Sequence, residues 1–189
     1  MRNFQKIGQV NVGPLLNAIL RRPHLWKEDT YLRDYPQGPF GEVDTIMLRF
    51  PPHSVKETQE QAEKFLLDHD PHESIDQPAF KVLPEARPIV FGLMAEVQGE
   101  RLGRVMINRI APGGRIFPHA DTPAHCEYYS RFHVCLQSAP GYIFQCGEEK
   151  VFMAPGEIWW FNNALEHQVL NNSAIDRLSM VVDVRTSRP

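Results

Sequence analysis

The chain has 189 residues, 42% hydrophobic and 23% charged, which is ample apolar content for one domain with a full core. A net charge of −3 without any Lys/Arg run gives nucleic acid no basic face to bind. No apolar run approaches the roughly 18 residues of a membrane span, and the opening Met1-Arg2-Asn3-Phe4-Gln5-Lys6 leads into no signal-like core, so a cytoplasmic protein is expected.

Val12 to Arg22 (V-G-P-L-L-N-A-I-L-R-R) carries apolar residues at helical spacing and ends on two arginines before Pro23, which predicts a short amphipathic helix. His24 to Gly41 mixes charge with the rings of Trp26, Tyr31, Tyr35 and Phe40 around a Pro36-Gln37-Gly38-Pro39 turn. It reads equally as a loop lining a pocket or as a plug over a sheet edge. Val43 to Phe50 (V-D-T-I-M-L-R-F) has the pattern of a strand, stopped by Pro51-Pro52. A polar helix is expected near Lys56–Leu67, with Phe65, Leu66 and Leu67 facing inward. The run Asp68-His69-Asp70-Pro71-His72-Glu73 holds metal-ligand residue types, but Pro71 and the lack of apolar neighbours favour a solvated loop. Pro88 to Val97 reads as a second helix opening on its proline, with a buried strand as the alternative.

From Leu102 the texture changes to short strands divided by turn residues. The expected strands are Leu102–Ile110, Arg115–Pro118, Tyr129–Leu136, Tyr142–Cys146, Lys150–Met153, Glu157–Phe161, His167–Asn171 and Arg177–Val184. Pro112-Gly113-Gly114, Pro140-Gly141, Gly147-Glu148-Glu149, Pro155-Gly156, Asn162-Asn163 and Asn171-Asn172-Ser173 mark the turns. The 16 prolines, above the usual ~5% share, fit many strand ends and loops. Strands at this spacing with no helix between them predict a mainly β fold. The expected core is a double-stranded β-helix of the jelly-roll or cupin type, with a few N-terminal helices. Residues 1–189 then form a single domain, with 1–100 packed on a metal-binding core at 101–189. Cys126, Cys135 and Cys146 are odd in number and lack CxxC spacing, as reduced cytoplasmic thiols would be. Asn171-Asn172-Ser173 matches a glycosylation acceptor but, without a secretion signal, is read as chance.

The chemistry concentrates in Arg115–Arg177. His119 and Asp121 are two apart, so in extended chain both side chains leave the same face. His167 follows 46 residues beyond Asp121, at the start of another strand, and Arg177 comes ten residues later. Two imidazoles and a carboxylate on three corners of a site leave the opposite positions open, which suits Fe(II) in a 2-His-1-carboxylate triad. Arg177 is a fixed cation of the kind that grips a dicarboxylate end-on. His-Asp-His also binds Zn(II), where a coordinated water does hydrolysis, but a hydrolase has no need of a dicarboxylate clamp. His125 and His133 are further imidazoles; His125 is set aside as a ligand because a fourth protein ligand would block the open positions. Of Trp159 and Trp160, one is expected in the core and the other at the surface. Asp183 is expected to orient an arginine or the sheet edge rather than to do acid–base work.

Four segments carry a resemblance to a known family. They are I-A-P-G-G-R-I-F-P-H, R-F-H-V-C-L-Q, G-E-I-W-W-F-N-N-A-L-E-H-Q-V-L-N and R-L-S-M-V-V-D-V. In order, spacing and flanking residues, Arg104 to Val184 resembles the catalytic domain of the aspartyl/asparaginyl β-hydroxylases, which are Fe(II)- and 2-oxoglutarate-dependent oxygenases. The resemblance implies that His119 and His167 bind the metal and that Arg177 pairs with the distal carboxylate of 2-oxoglutarate. Arg131 and His133 fall on an Arg-x-His pair lining the co-substrate pocket, and Asn108 on a serine that helps hold the same carboxylate. Asp121 stands where the best-known animal member has a glycine, so this chain keeps the full triad. Thr122–Ser130 is longer than in that member, which alters the pocket rim.

The resemblance further implies Fe(II), 2-oxoglutarate and O2 as cofactor and co-substrates, and hydroxylation of an amino-acid side chain, free or in a peptide. With no peptide-binding repeat attached, a small molecule or short peptide is favoured. Trp26, Asp29, Tyr31 and Arg33 are the candidate substrate residues, able to hold the charged ends of an amino acid if they border the mouth. A cupin-type metal hydrolase or isomerase, and a non-catalytic small-molecule sensor, remain the other readings of the same fold.

Overall fold

Alternation along one strand sets the architecture. In Arg177–Thr186, Leu178, Met180, Val182 and Val184 enter one apolar cluster, while Arg177, Ser179, Val181 and Asp183 leave the opposite face. Period-two side chains therefore give this strand an oily side and a polar, chemically equipped side, both buried. Strands buried on both faces need a layer on each, and the chain supplies a sheet on one side and helices on the other.

The structure is a computed structural model that describes residues 1–35, 38–51, 70 and 72–187. The chain runs β1 (Phe4–Gln9), α1 (Gly13–Leu20), a 3-10 turn (Pro23–Lys27), α2 (Tyr31–Asp34), β2 (Val43–Phe50), β3 (Ile75–Asp76), α3 (Pro78–Val82) and α4 (Ala86–Glu96). It continues with β4 (Gly99–Ile110), β5 (Arg115–His119), α5 (Pro123–Tyr128), β6 (Ser130–Gln137), β7 (Tyr142–Cys146), β8 (Glu149–Val151), β9 (Glu157–Phe161), β10 (His167–Asn171) and β11 (Arg177–Thr186). One sheet has the order β1-β9-β6-β11-β4-β2-β3 and the other β5-β10-β7-β8, with every pairing antiparallel. This is the expected jelly roll.

Leu15 and Ile19 of α1, Leu25, Phe80 and Leu83, and Ile89 and Leu93 of α4 cover the outer face of the seven-stranded sheet. They meet Ile46, Leu48, Val105, Ile107, Val134 and Met180 from the strands. Each such side chain contributes roughly 1.5–3 kcal/mol of burial. The inner face meets the four-stranded sheet through Phe144, Phe161, Ile116, Val169 and Trp159, with Trp160 only half buried on the other side. Tight turns hold the strands in place. Gly141 has φ +105°, and a Cβ there would lie 2.8 Å from Asn172 O, so only glycine serves.

The expected strands β2, β7, β9 and β10 have the bounds read from the sequence, and the helix expected over Pro88–Val97 is observed over Ala86–Glu96, beginning before its proline and capped by Val97. Several short or one-sided elements escape periodicity, β1, α2 and α5 among them. β1 (F-Q-K-I-G-Q) has one face in solvent, so it reads as polar although Phe4 packs on Phe144. α5 is only six residues long, and α2 only four. The helix expected near 56–67 lies outside the described residues, as do Pro36 and Gln37 of the expected turn and Asp68, His69 and Pro71 of the acidic run. Of that run, Asp70 pairs with Arg101 and His72 stacks on Tyr128, as a structural corner would.

Candidate metal and co-substrate site

β5 and β10 are neighbours in the smaller sheet, and their register sets His119 directly opposite His167. The ring centroids are 4.2 Å apart. Asp121 lies just past the end of β5, where its backbone N–H donates to Asn163 O at 3.1 Å and pins the segment beneath the turn before β10. The ligand atoms of His119, Asp121 and His167 all lie within 4.8 Å of one another.

Each ligand is oriented by a second contact. His119 Nδ1 is 2.8 Å from Phe117 O and His167 Nδ1 is 2.9 Å from Leu165 O. A carbonyl only accepts, so both Nδ1 atoms carry the proton and both Nε2 atoms are left as lone-pair donors. Asp121 Oδ2 accepts from Arg131 Nη1 at 2.6 Å and from Asn163 Nδ2 at 2.8 Å. Oδ1 then remains for an ion, 4.0 Å from His119 Nε2. Burial pushes His119 below its ordinary value and takes His167 down to about 4, so both imidazoles are neutral near pH 7. Burial alone would raise Asp121, but Arg131, Asn163 and His167 outweigh it and hold the carboxylate low. Two neutral imidazoles and one ionised carboxylate fit a divalent first-row metal.

The polar face of the large sheet lies behind this group. Arg131 Nε and Nη2 grip Asp183 at 2.7 and 2.9 Å, while Nη1 reaches Asp121, so one guanidinium ties a fully buried carboxylate to a metal-ligand candidate. His125, carried by α5, lies 2.9 Å from Asp183 and takes no part in the triad. Burial opposes the charge on Asp183, yet Arg131 and His125 hold it far below the usual carboxylate range. His133, fully enclosed, is driven well below its ordinary value by burial and by Arg177, and it bonds Ser179 at 3.1 Å.

Arg177 is wholly buried, stacked 4.6 Å over the Tyr142 ring, with Nη2 at 3.5 Å from His133. Its Nε and Nη1 have no hydrogen-bond partner, and neither has the buried Tyr142 hydroxyl. Unmet buried donors on a cation are costly. A carboxylate end of a small diacid would satisfy them. Asn108 lines the narrow inner cavity with His119, Arg131, His133 and His167; its Oδ1 accepts from Thr45 Oγ1 at 3.0 Å, so the amide nitrogen is its remaining donor. Tyr142 was not singled out from sequence; its only signal there is its place in a strand opposite Asn171.

A larger cavity of about 520 Å³ opens beside the triad, lined by Tyr31, Tyr35, Phe40, Phe50, Arg104, His119 and Asp121 among others. Of the four candidate substrate residues only Tyr31 borders it. Trp26 is 5% exposed and lies under Arg109; Asp29 caps the backbone of Tyr31; Arg33 pairs with Asp44. Local pairing draws these three charges and rings into a separate cleft with Val43 and Thr45. Their expected place at the mouth is corrected. Arg104 stands there instead. Its signal is the alternation R-V-M-I-N in β4, which turns Arg104, Met106 and Asn108 to one face.

A jelly roll whose mouth gathers two imidazoles and a carboxylate, backed by a buried unmet arginine, has the layout of a metal-dependent oxygenase. The family model described as aspartyl/asparaginyl β-hydroxylase matches residues 49–187, so the chain belongs to that family, and it is an oxygenase of the hydroxylase type. Among solved structures, a prolyl-4-hydroxylase from Pseudomonas putida is 13% identical over 98% of this chain and 94% of its own, with a TM-score of 0.48. A 2OG-Fe(II) oxygenase-family oxidoreductase from Burkholderia pseudomallei is 19% identical over 76% of this chain and 67% of its own, with a TM-score of 0.45. A cupin domain from Bordetella pertussis is 18% identical over 46% of this chain and 85% of its own, with a TM-score of 0.37. No curated protein matches the chain. No helix among the described residues is long and apolar enough to cross a membrane.

Proposed function

We propose that the chain is an Fe(II)- and 2-oxoglutarate-dependent dioxygenase that hydroxylates an unactivated C–H bond, on an amino-acid side chain that is free or in a short peptide. The observation that carries this is Arg177: a completely buried guanidinium with two unpaired N–H groups, on the same face of the sheet as Arg131 and His133. A hydrolytic site offers such a cation nothing to bind; a keto diacid does.

His119, Asp121 and His167 would hold the metal through Nε2, Oδ1 and Nε2. Bound Fe(II), with 2-oxoglutarate and O2, supplies the oxidative decarboxylation that makes an inert C–H bond reactive. The protein's part is to position. Arg177, with the Tyr142 hydroxyl and the Asn108 amide, would take the far carboxylate, which fixes how the keto acid end lies at the triad. Burial raises the Tyr142 phenol to about 12, so it stays protonated as a donor at neutral pH. Arg131 keeps Asp121 ionised and aimed, while neutral His133 beside Arg177 adds no competing anion. Phe144, Phe161, Ile116 and Val169 wall the inner cavity and exclude water.

The strands before residue 100 lie in the same sheet as those after it, which supports treating residues 1–189 as one domain. Three free cysteines fit a reducing, cytoplasmic setting.

The test is protein with Fe(II), ascorbate and 2-oxoglutarate, followed for succinate in air and under nitrogen, with and without amino acids and short peptides. Succinate that requires air, and is stimulated by one substrate, supports the proposal. Turnover of a substrate under nitrogen without 2-oxoglutarate points to a hydrolase or isomerase. Binding without any succinate points to a sensor.

A further inference from the structure

Among the described residues, the outer cavity has one cation without a bonded partner. Arg104 makes no hydrogen bond or ion pair with any described residue; its guanidinium lies 5.4 Å over the Phe50 ring and lines the cavity beside His119 and Asp121. Two neighbouring arginines are committed, Arg131 to Asp121 and Asp183 and Arg49 to Asp76 and the carbonyl of Ser74. Burial lowers Arg104 from its ordinary value, with Asp183 opposing, as expected of a guanidinium drawn from water without a contacting acid. A half-buried cation of this kind is stabilised by an incoming anion.

The rest of the lining narrows the anion. Tyr31, Tyr35, Phe40 and Phe50 make the walls largely aromatic. The cavity's only carboxylate among the described residues is Asp121, whose Oδ2 is already bonded to Arg131 and Asn163 and whose Oδ1 faces the triad. Among the described residues an ammonium would therefore find no free acid to pair with. Resting on the oxygenase reading above, we propose that Arg104 binds a carboxylate of the substrate, in a molecule with no ammonium beside it, and so sets which carbon is presented to the metal. An acylated amino acid, or a side-chain carboxylate within a peptide, has that chemistry; a free zwitterionic amino acid does not.

The protein loaded with Fe(II) and 2-oxoglutarate is titrated under nitrogen with N-acetyl amino acids, with N-acetyl-aspartate blocked as its α-amide, and with the uncharged methylamide of each. Binding is read by ligand-observed NMR. The carboxylates should bind the wild type and the methylamides should not. The Arg104→Gln variant should weaken carboxylate binding by roughly 10- to 100-fold and erase the acid–amide difference, and Arg104→Lys should restore part of it. Preference for the α-carboxylate or for the blocked aspartate tells which source the pocket takes. Equal binding of acid and amide, no binding of any carboxylate, an unchanged acid–amide ratio in Arg104→Gln, or tighter binding of free amino acids would each overturn the proposal. Admitting air to the same samples and measuring succinate separates the two readings. Arg104-dependent binding without succinate ends the oxygenase reading alone, whereas succinate stimulated by a molecule that ignores Arg104 ends this one alone.

Discussion

At the scale of single residues, the site is decided by which donors have partners and which do not. Arg131 spends every nitrogen on Asp183, Asp121 and His125, whereas Arg177 holds two unmet N–H groups in a fully enclosed place. The consequence is asymmetric. Arg177→Gln should cost about 3–5 kcal/mol of 2-oxoglutarate binding, read as a loss of two orders of magnitude or more in affinity, with little loss of folding stability. Asp183→Asn should act the other way, lowering folding stability by about 3–5 kcal/mol, because it leaves a buried guanidinium short of an anion. It should also weaken metal binding by roughly 10- to 100-fold, since Asp121 loses the support of a fixed Arg131. Chemical denaturation and metal titration check the two effects. The triad and Arg177 were marked in sequence by residue types at set spacings, and Arg131 and His133 only by the family resemblance. Tyr142 and Arg104 were not, because what marks them is a missing partner, and only three-dimensional packing shows that. Trp26, Asp29 and Arg33 failed as mouth residues for the complementary reason: Asp44 and the backbone of Tyr31 satisfy the charges locally, and burial beneath Arg109 takes the ring.

At the scale of elements, the legible strands are those whose two faces differ. β10 alternates H-Q-V-L-N as buried and half-buried, and its bounds were readable to the residue. β11 was readable for the opposite reason: L-M-V-V feeds one core while R-S-V-D faces the site. α5 was missed because six residues are too few for a helical period, although Pro123 at its first turn is a starting signal. That helix brings His125 to Asp183, so Thr122–Ser130 supports the buried ion pair from the rim. The turns are equally specific. Gly141→Ala places a Cβ against Asn172 O at φ +105°, and should lower stability by about 1–3 kcal/mol. A thermal melt would show the loss, and metal affinity should stay near wild type because Gly141 precedes β7 at the end away from Cys146, the residue paired with His167.

At the scale of the whole molecule, buried neutral imidazoles tie folding to pH. His133 ordinarily titrates near 6.5, and burial with Arg177 drives it well below that in the fold. As pH falls below 6.5, the unfolded chain takes up a proton at His133 that the folded chain refuses, so stability is present above that value and is lost on acidification. The metal-free protein should lose roughly 1.4 kcal/mol per pH unit for each such group below 6.5, and His133→Asn should make the slope shallower by about one proton. Melting curves in chelator at several pH values test this. Metal binding to the folded state should raise the melting temperature, by the equivalent of about 2.7 kcal/mol at a hundredfold excess over Kd. Asp121→Ala should remove most of that rise.

Phe40 belongs to both cavities, and its ring meets His119 edge-on at 5.6 Å. It is thus a party wall between an anteroom and a narrower inner chamber. A guest already seated in the anteroom closes the doorway, so the diacid has to pass first and the ring has to swing aside to let it in. Steady-state kinetics should accordingly show a compulsory sequence, with 2-oxoglutarate leading, and excess second substrate should inhibit by trapping the enzyme before the diacid arrives. Trimming the wall with Phe40→Ala should relax that sequence towards random entry.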